Sequence, residues 1–225
     1  MITIIRSQYM AAVILAACIV FFQSCARHTA ETSENTDVPP SFAHILVYPC
    51  QDMAGLFGST QTVLSPLSGK AFETGSVESL AADFMTSETV RLLRRNGTHR
   101  FTVYSGSDAN VGYGRDVIKR LSNTGHQMGT DAALVGYLYV FEERIGGSYG
   151  VEQPARVSFE LNLVDTTNGR LVWHRSFSET QQTLNENLFE LGKFIKRKGR
   201  WITAREMAGQ GLEKMLADSI LTRTP

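Results

Sequence analysis

Residues 132–141 read Ala-Ala-Leu-Val-Gly-Tyr-Leu-Tyr-Val-Phe, and residues 156–163 read Arg-Val-Ser-Phe-Glu-Leu-Asn-Leu. The first stretch is apolar on both faces of an extended chain, the pattern of a central strand covered on both sides. The second alternates strictly, with Val157, Phe159, Leu161 and Leu163 against Arg156, Ser158, Glu160 and Asn162, the period of a strand with one face in a core. Asn168-Gly169 follows, which predicts a two-residue type I′ hairpin turn. Leu171–Phe177 (LVWHRSF) returns as a further strand with Trp173 packed in the core. Three consecutive antiparallel strands are expected between about residues 132 and 179.

Towards the N-terminus, Phe42–Tyr48 (FAHILVY) reads as a strand stopped by Pro49, which has no N–H for a ladder. Residues 50–75 are rich in Gly, Ser and Thr, with Pro66 among them, and read as a long loop of the kind that often carries binding. Ser76–Asn96 reads as a helix capped by Ser76 and stopped by Gly97, with Val77, Leu80, Ala81, Phe84, Leu92 and Leu93 at helical spacing. Arg100–Tyr104 (RFTVY) is a strand and 116–125 a short helix with Val117, Ile118 and Leu121 on one side. Towards the C-terminus, 185–198 and 203–221 read as helices. The fold class is α+β: a mixed sheet with a three-stranded antiparallel meander and helices packed on it.

Composition narrows the function. The chain of 225 residues is 43% hydrophobic, too apolar for a disordered polymer. Its formal net charge of zero argues against a nucleic-acid binder, which needs a basic excess. Three cysteines without a Cys-x-x-Cys pair exclude a zinc ribbon and a disulfide scaffold.

Residues 1–24 read as a lipoprotein signal peptide. Arg6 precedes an uncharged run, Tyr9–Phe22, of about fourteen residues, short of the ~20 that span a bilayer. Phe22-Gln23-Ser24-Cys25 resembles a lipobox, whose cysteine is acylated and becomes the mature N-terminus. Leu15-Ala16-Ala17-Cys18 is the alternative, but it would leave Ile-Val-Phe-Phe at the mature start. Cys25 is instead followed by a polar tether, so the expected organisation is signal peptide 1–24, tether 25–41 and one globular domain 42–225. Acyl chains on Cys25, palmitate among them, would hold the protein on a membrane. Ala26 stands where an aspartate commonly marks retention at the inner membrane, which points to the outer membrane, periplasmic side.

Catalytic patterns are weak. Gly112-Tyr113-Gly114 lacks the third glycine of a nucleotide loop, and His28, His44, His99, His126 and His174 are scattered without ligand spacing. Cys50 is the one thiol downstream of Cys25, and reads as a small residue at a strand end. No catalytic residue, cofactor site or metal site is expected. The best interaction surface is the basic cluster Lys193, Lys196, Arg197, Lys198 and Arg200 beside Trp201, whose cations could meet lipid phosphate or an acidic partner.

Two segments carry a family resemblance. Met128–Gly136 (MGTDAALVG) resembles the start of a central strand in the periplasmic lipoprotein superfamily of CsgG, LpoB and PelC. Leu163–Trp173 (LVDTTNGRLVW) is similar to a hairpin in the same group, and Val47-Tyr48-Pro49 fits its first strand. The resemblance implies a non-catalytic accessory factor in envelope assembly or export, with a periplasmic or outer-membrane protein partner or a homo-oligomer. An envelope hydrolase and a secretion-channel component stay open as alternatives.

Overall fold

A computed structural model of the chain describes residues 42–96, 99–106, 110–114, 116–147, 151–181, 200–217, 219 and 221. The chain divides into two units, Met1–Pro40 and Ser41–Pro225, and the described residues all lie in the second. The signal peptide and tether, the Gly97 stop and the helix expected at 185–198 lie outside the described residues.

The unit is α+β, a mixed sheet with helices packed on it. Its strands are β1 (His44–Val47), β2 (Gln51–Asp52), β5 (Arg100–Val103), β6 (Ala132–Glu142), β9 (Arg156–Asp165) and β10 (Arg170–Thr180). Their order is β10-β9-β6-β1-β5, with β2 also pairing β6. The contacts of β1 with β5 and β6 are parallel, whereas β6, β9 and β10 form the expected antiparallel meander. A small hairpin, β7 (Ile145–Gly146) with β8 (Val151–Gln153), is inserted between β6 and β9.

Both faces of the sheet are covered, as the two-sided apolar run in β6 requires. Period two sends Ile45, Val47, Leu134, Leu138, Phe159, Leu161 and Leu163 to one face. There they meet Met85, Leu92 and Leu93 of α2 (Ala81–Asn96) and Met207, Leu212 and Leu216 of α4 (Ala204–Ala217). Leu46, Val135, Tyr137, Tyr139 and Val164 point to the other face. That face is covered by Val117 and Leu121 of α3 (Val117–Met128), Met53 of α1 (Met53–Phe57), and Val63 and Phe72 of a hairpin, β3 (Thr62–Leu64) with β4 (Ala71–Glu73).

Several expectations are corrected. Residues 50–75 are not a loop but hold β2, α1 and the β3–β4 hairpin, elements too short for periodicity to register. The strand before Pro49 does end there, at Val47, and a separate short strand, β2, then pairs Gln51 and Asp52 with Tyr137 and Leu138 of β6. Ser76 caps no helix: its carbonyl accepts from Phe141 N at 2.8 Å and its N–H donates to Glu142 Oε1 at 2.9 Å. Val77 bridges Phe141, and the helix begins only at Ala81, after Leu80 has turned through a φ of +64°. The β9–β10 turn is not the two-residue type I′ form. Arg170 pairs with Asp165, which leaves four residues in the loop, and Gly169 alone takes positive φ, at +60°. Asp165 replaces the missing local geometry, its Oδ1 accepting from the N–H of Thr167 at 2.8 Å and of Asn168 at 3.1 Å.

Candidate interaction surfaces and a buried polar face

Cys50 follows Pro49 and lines a crevice with Met85, Thr86, Thr89, Leu134, Gly136 and Leu161, between the sheet and α2. Its N–H donates to Thr86 Oγ1 at 2.8 Å. Burial pushes the thiol up to about 12, and the nearby Asp52 carboxylate pushes the same way. A nucleophilic cysteine needs the opposite, a base or a positive neighbour that favours the thiolate. Burial and the Asp52 charge both disfavour a thiolate at Cys50.

Asp131, in the segment that carried the family resemblance, has a structural task. Its Oδ2 accepts from Ala43 N at 2.8 Å and His44 N at 3.0 Å, while its own N–H donates to the His44 carbonyl at 2.9 Å. One carboxylate thus holds the start of β1 against the start of β6 in register.

Of the expected basic surface, Lys193, Lys196, Arg197 and Lys198 lie outside the described residues, as do Cys18 and Cys25. Arg200 is exposed and pairs with Glu206 at 2.9 Å; Trp201 is half-buried. The buried Gln181 joins the two described ends of this region. Its Nε2 donates to the Arg200 carbonyl at 3.0 Å, and its Oε1 accepts from Ile202 N at 2.9 Å. Trp173 is half-buried against the apolar core on the α2–α4 face.

Two features escaped the sequence. The first is an exposed aromatic pair, Phe57 of α1 against Tyr113 with ring centres 4.8 Å apart, with exposed Leu56 beside Phe57 in the chain. The second is the polar side of β9. Its alternation suggested a solvent face, yet Ser158, Glu160 and Asn162 are buried, and Glu160 is fastened to Ser65 in the β3–β4 hairpin. Ser65 donates to Glu160 Oε2 at 2.5 Å, and Asn162 Nδ2 donates to the same oxygen at 3.2 Å. Phe72 stacks on Tyr139 at 4.0 Å, and Lys70 reaches from the hairpin to Ser176 Oγ at 2.5 Å. Burial, with the Glu160 charge added, drives both Tyr137 and Tyr139 well above the ordinary phenol range. A polar residue on an alternating strand gives no signal that a hairpin far back in the chain will cover it. Among the described residues no group of three or more His, Cys, Asp or Glu side chains could hold a metal ion, and no helix is long and apolar enough to cross a membrane.

The arrangement belongs to a known class of fold. The PelC dodecamer from Paraburkholderia phytofirmans superposes with a TM-score of 0.50 at 12% identity, over 83% of this chain and 94% of that one. Lipoprotein GNA1162 from Neisseria meningitidis gives 0.39 at 19% identity, over 79% and 99% of the two chains. The LpoB C-terminal domain from Escherichia coli gives 0.36 at 13%, over 62% and 83%. At 12% identity the likeness to PelC is one of fold alone. No protein-family model and no curated protein matches the sequence.

Proposed function

We propose that this chain is a non-catalytic lipoprotein of the LpoB- and PelC-like kind. It is anchored by acylated Cys25 to the outer membrane, faces the periplasm, and serves as an accessory factor in envelope assembly or export. The observation that carries the reading is a conjunction: a lipobox-like Phe22-Gln23-Ser24-Cys25 and a polar tether stand ahead of a sheet whose fold covers 94% of a PelC chain. Multiple acyl chains at ~0.8 kcal/mol per buried methylene make such an anchor effectively permanent, so the domain works at a membrane surface without a spanning helix. The polar tether of about fifteen residues gives it reach towards a partner. PelC from Paraburkholderia phytofirmans is a dodecamer, which supports assembly into a homo-oligomer alongside binding to a periplasmic or outer-membrane protein.

The test is labelling and fractionation. Wild type should incorporate palmitate and sediment with the outer membrane, and Cys25→Ala should do neither. Label that persists in Cys25→Ala and disappears in Cys18→Ala would move the anchor to Cys18. A wild-type chain that takes no label and stays soluble would overturn the reading. Light scattering of the detergent-extracted protein decides between a monomer and a ring.

A further inference from the structure

β10 is the last strand on one side of the sheet, and among the described residues no strand pairs with its outer edge. None of its eleven residues is buried, whereas nine of the ten in β9 are. An edge strand presents N–H and C=O groups to any second strand, and folds usually blunt it with proline, lysine or a bulge. The register shift in β10 lies between Leu171 and Trp173, close to the turn. From Trp173 to Thr180 the pairing is regular, and the stretch (WHRSFSET) holds neither proline nor lysine. It carries two charges of opposite sign, Arg175 and Glu179, four residues apart on the same face. Phe177 stands midway between them, directly opposite Phe159 of β9 with ring centres 5.3 Å apart.

That arrangement is self-complementary. Opposite residues of an antiparallel pair share a face, so a two-fold axis relating two such edges must pass at a residue and not between residues. An axis at Phe177 sets Phe177 beside its own copy and Arg175 opposite Glu179 of the second chain, twice over. An axis two residues nearer the turn would set Arg175 against itself, and like charges directly opposite are destabilising. With the axis at Phe177 the Phe159–Phe177 row runs unbroken across both sheets. The helices fit as well. α4 packs over β9 and β10, with Gly211 against the Phe177 ring. Strands lie ~4.8 Å apart, so two α4 helices related by that axis stand about 10 Å apart, a normal helix-packing distance. We propose that the β10 edge is the self-association surface of this chain: two copies pair antiparallel along His174–Thr180 about a two-fold axis at Phe177, with Arg175 and Glu179 matched across it. The proposal deepens the homo-oligomer reading above and rests on it.

Register-specific cross-linking of the full-length, detergent-extracted chain tests it. Directly opposite residues have Cα atoms ~4.5–5.5 Å apart, within disulfide reach. Arg175→Cys and Glu179→Cys chains, mixed and oxidised, should give a mixed disulfide dimer, and either variant alone should give far less. Equal cross-linking by either variant alone overturns the proposal. So does an absent mixed disulfide, as when residues 182–199 or another protein cover the edge. Charge reversal is the independent readout, and Arg175 is exposed enough to reverse. Arg175→Glu and Glu179→Arg should each weaken self-association at least about tenfold by ultracentrifugation, and the double variant carrying both should recover most of it. Should Glu179→Arg not fold, Arg175→Glu decides alone, and an unchanged dimer overturns the pairing. A palmitate-labelled, membrane-bound chain that is monomeric sinks the pairing only. An unlabelled, soluble chain that still gives the mixed disulfide sinks the anchor and keeps the pairing.

Discussion

Asp131 and Cys50 show how one side chain sets a local outcome. The Asp131 carboxylate satisfies two N–H groups at the start of β1, and an alanine there leaves both without that partner. Asp131→Ala should destabilise the protein by about 1–3 kcal/mol in denaturant titration, and Asp131→Asn, which keeps one acceptor oxygen, by less. Equal losses would show that the register does not depend on these bonds. Cys50 makes a prediction about pH. Its native thiol stays protonated up to about 12, whereas an unfolded thiol ionises near its ordinary 9.0. Between those values the unfolded chain binds fewer protons than the native one, so this residue's contribution to stability is full below pH 9 and falls as pH rises towards 12. Cys50→Ser has no such ionisation, and its stability should decline less steeply over that window. Identical slopes in parent and variant would mean that the native thiol is not shielded.

Elements were legible in the sequence where their period was long enough to count, and illegible where a distant partner decided them. The two-sided apolar run of β6 and the alternation of β9 placed the meander, and Leu121 was read on one side of a helix that does bury it. The start of α2 was misread because Val77 fits both a helix and an extended bridge, and the Phe141 backbone, more than sixty residues later, settles it. Glu160 was misread for the same reason: its burial is made by Ser65, from a hairpin whose strands span three residues each. The packing of α4 on β10 was equally invisible, because it depends on a missing side chain. A Cβ at Gly211 would lie 2.9–3.0 Å from the Phe177 ring, closer than real contacts allow. Gly211→Ala should therefore cost about 1–3 kcal/mol despite the gain in helix propensity, and Phe177→Leu in the same chain should recover part of it. A neutral or stabilising Gly211→Ala would mean that the ring moves aside freely. Gly169→Val, forced to φ +60° in the β9–β10 turn, should lower the melting temperature for a backbone reason, by ~1–3 kcal/mol of strain.

At the scale of the whole molecule, the charge distribution frames what the domain meets. The chain has no net charge, yet residues 193–200 hold five cations, Lys193, Lys196, Arg197, Lys198 and Arg200. Separation of charge within a neutral chain is what electrostatic docking uses, whereas a uniform excess would bind anions without direction. The described residues that flank this region are tied together, because the buried Gln181 bonds both the Arg200 carbonyl and Ile202 N. If the cluster meets anionic headgroups or an acidic partner, each cation contributes ~1 kcal/mol near the surface, and less as salt shortens the screening length. Replacing Lys196, Arg197 and Lys198 together by glutamine should leave the melting temperature nearly unchanged and lower binding to anionic vesicles by about two orders of magnitude at low ionic strength, with the difference shrinking at high salt. Arg200→Gln should lose less, since Glu206 at 2.9 Å already balances that charge. Vesicle binding by the triple variant equal to that of the parent at low salt would remove the cluster as a membrane contact. Unchanged capture of the partner by the same variant would then leave the exposed Phe57–Tyr113 pair as the surface to substitute next.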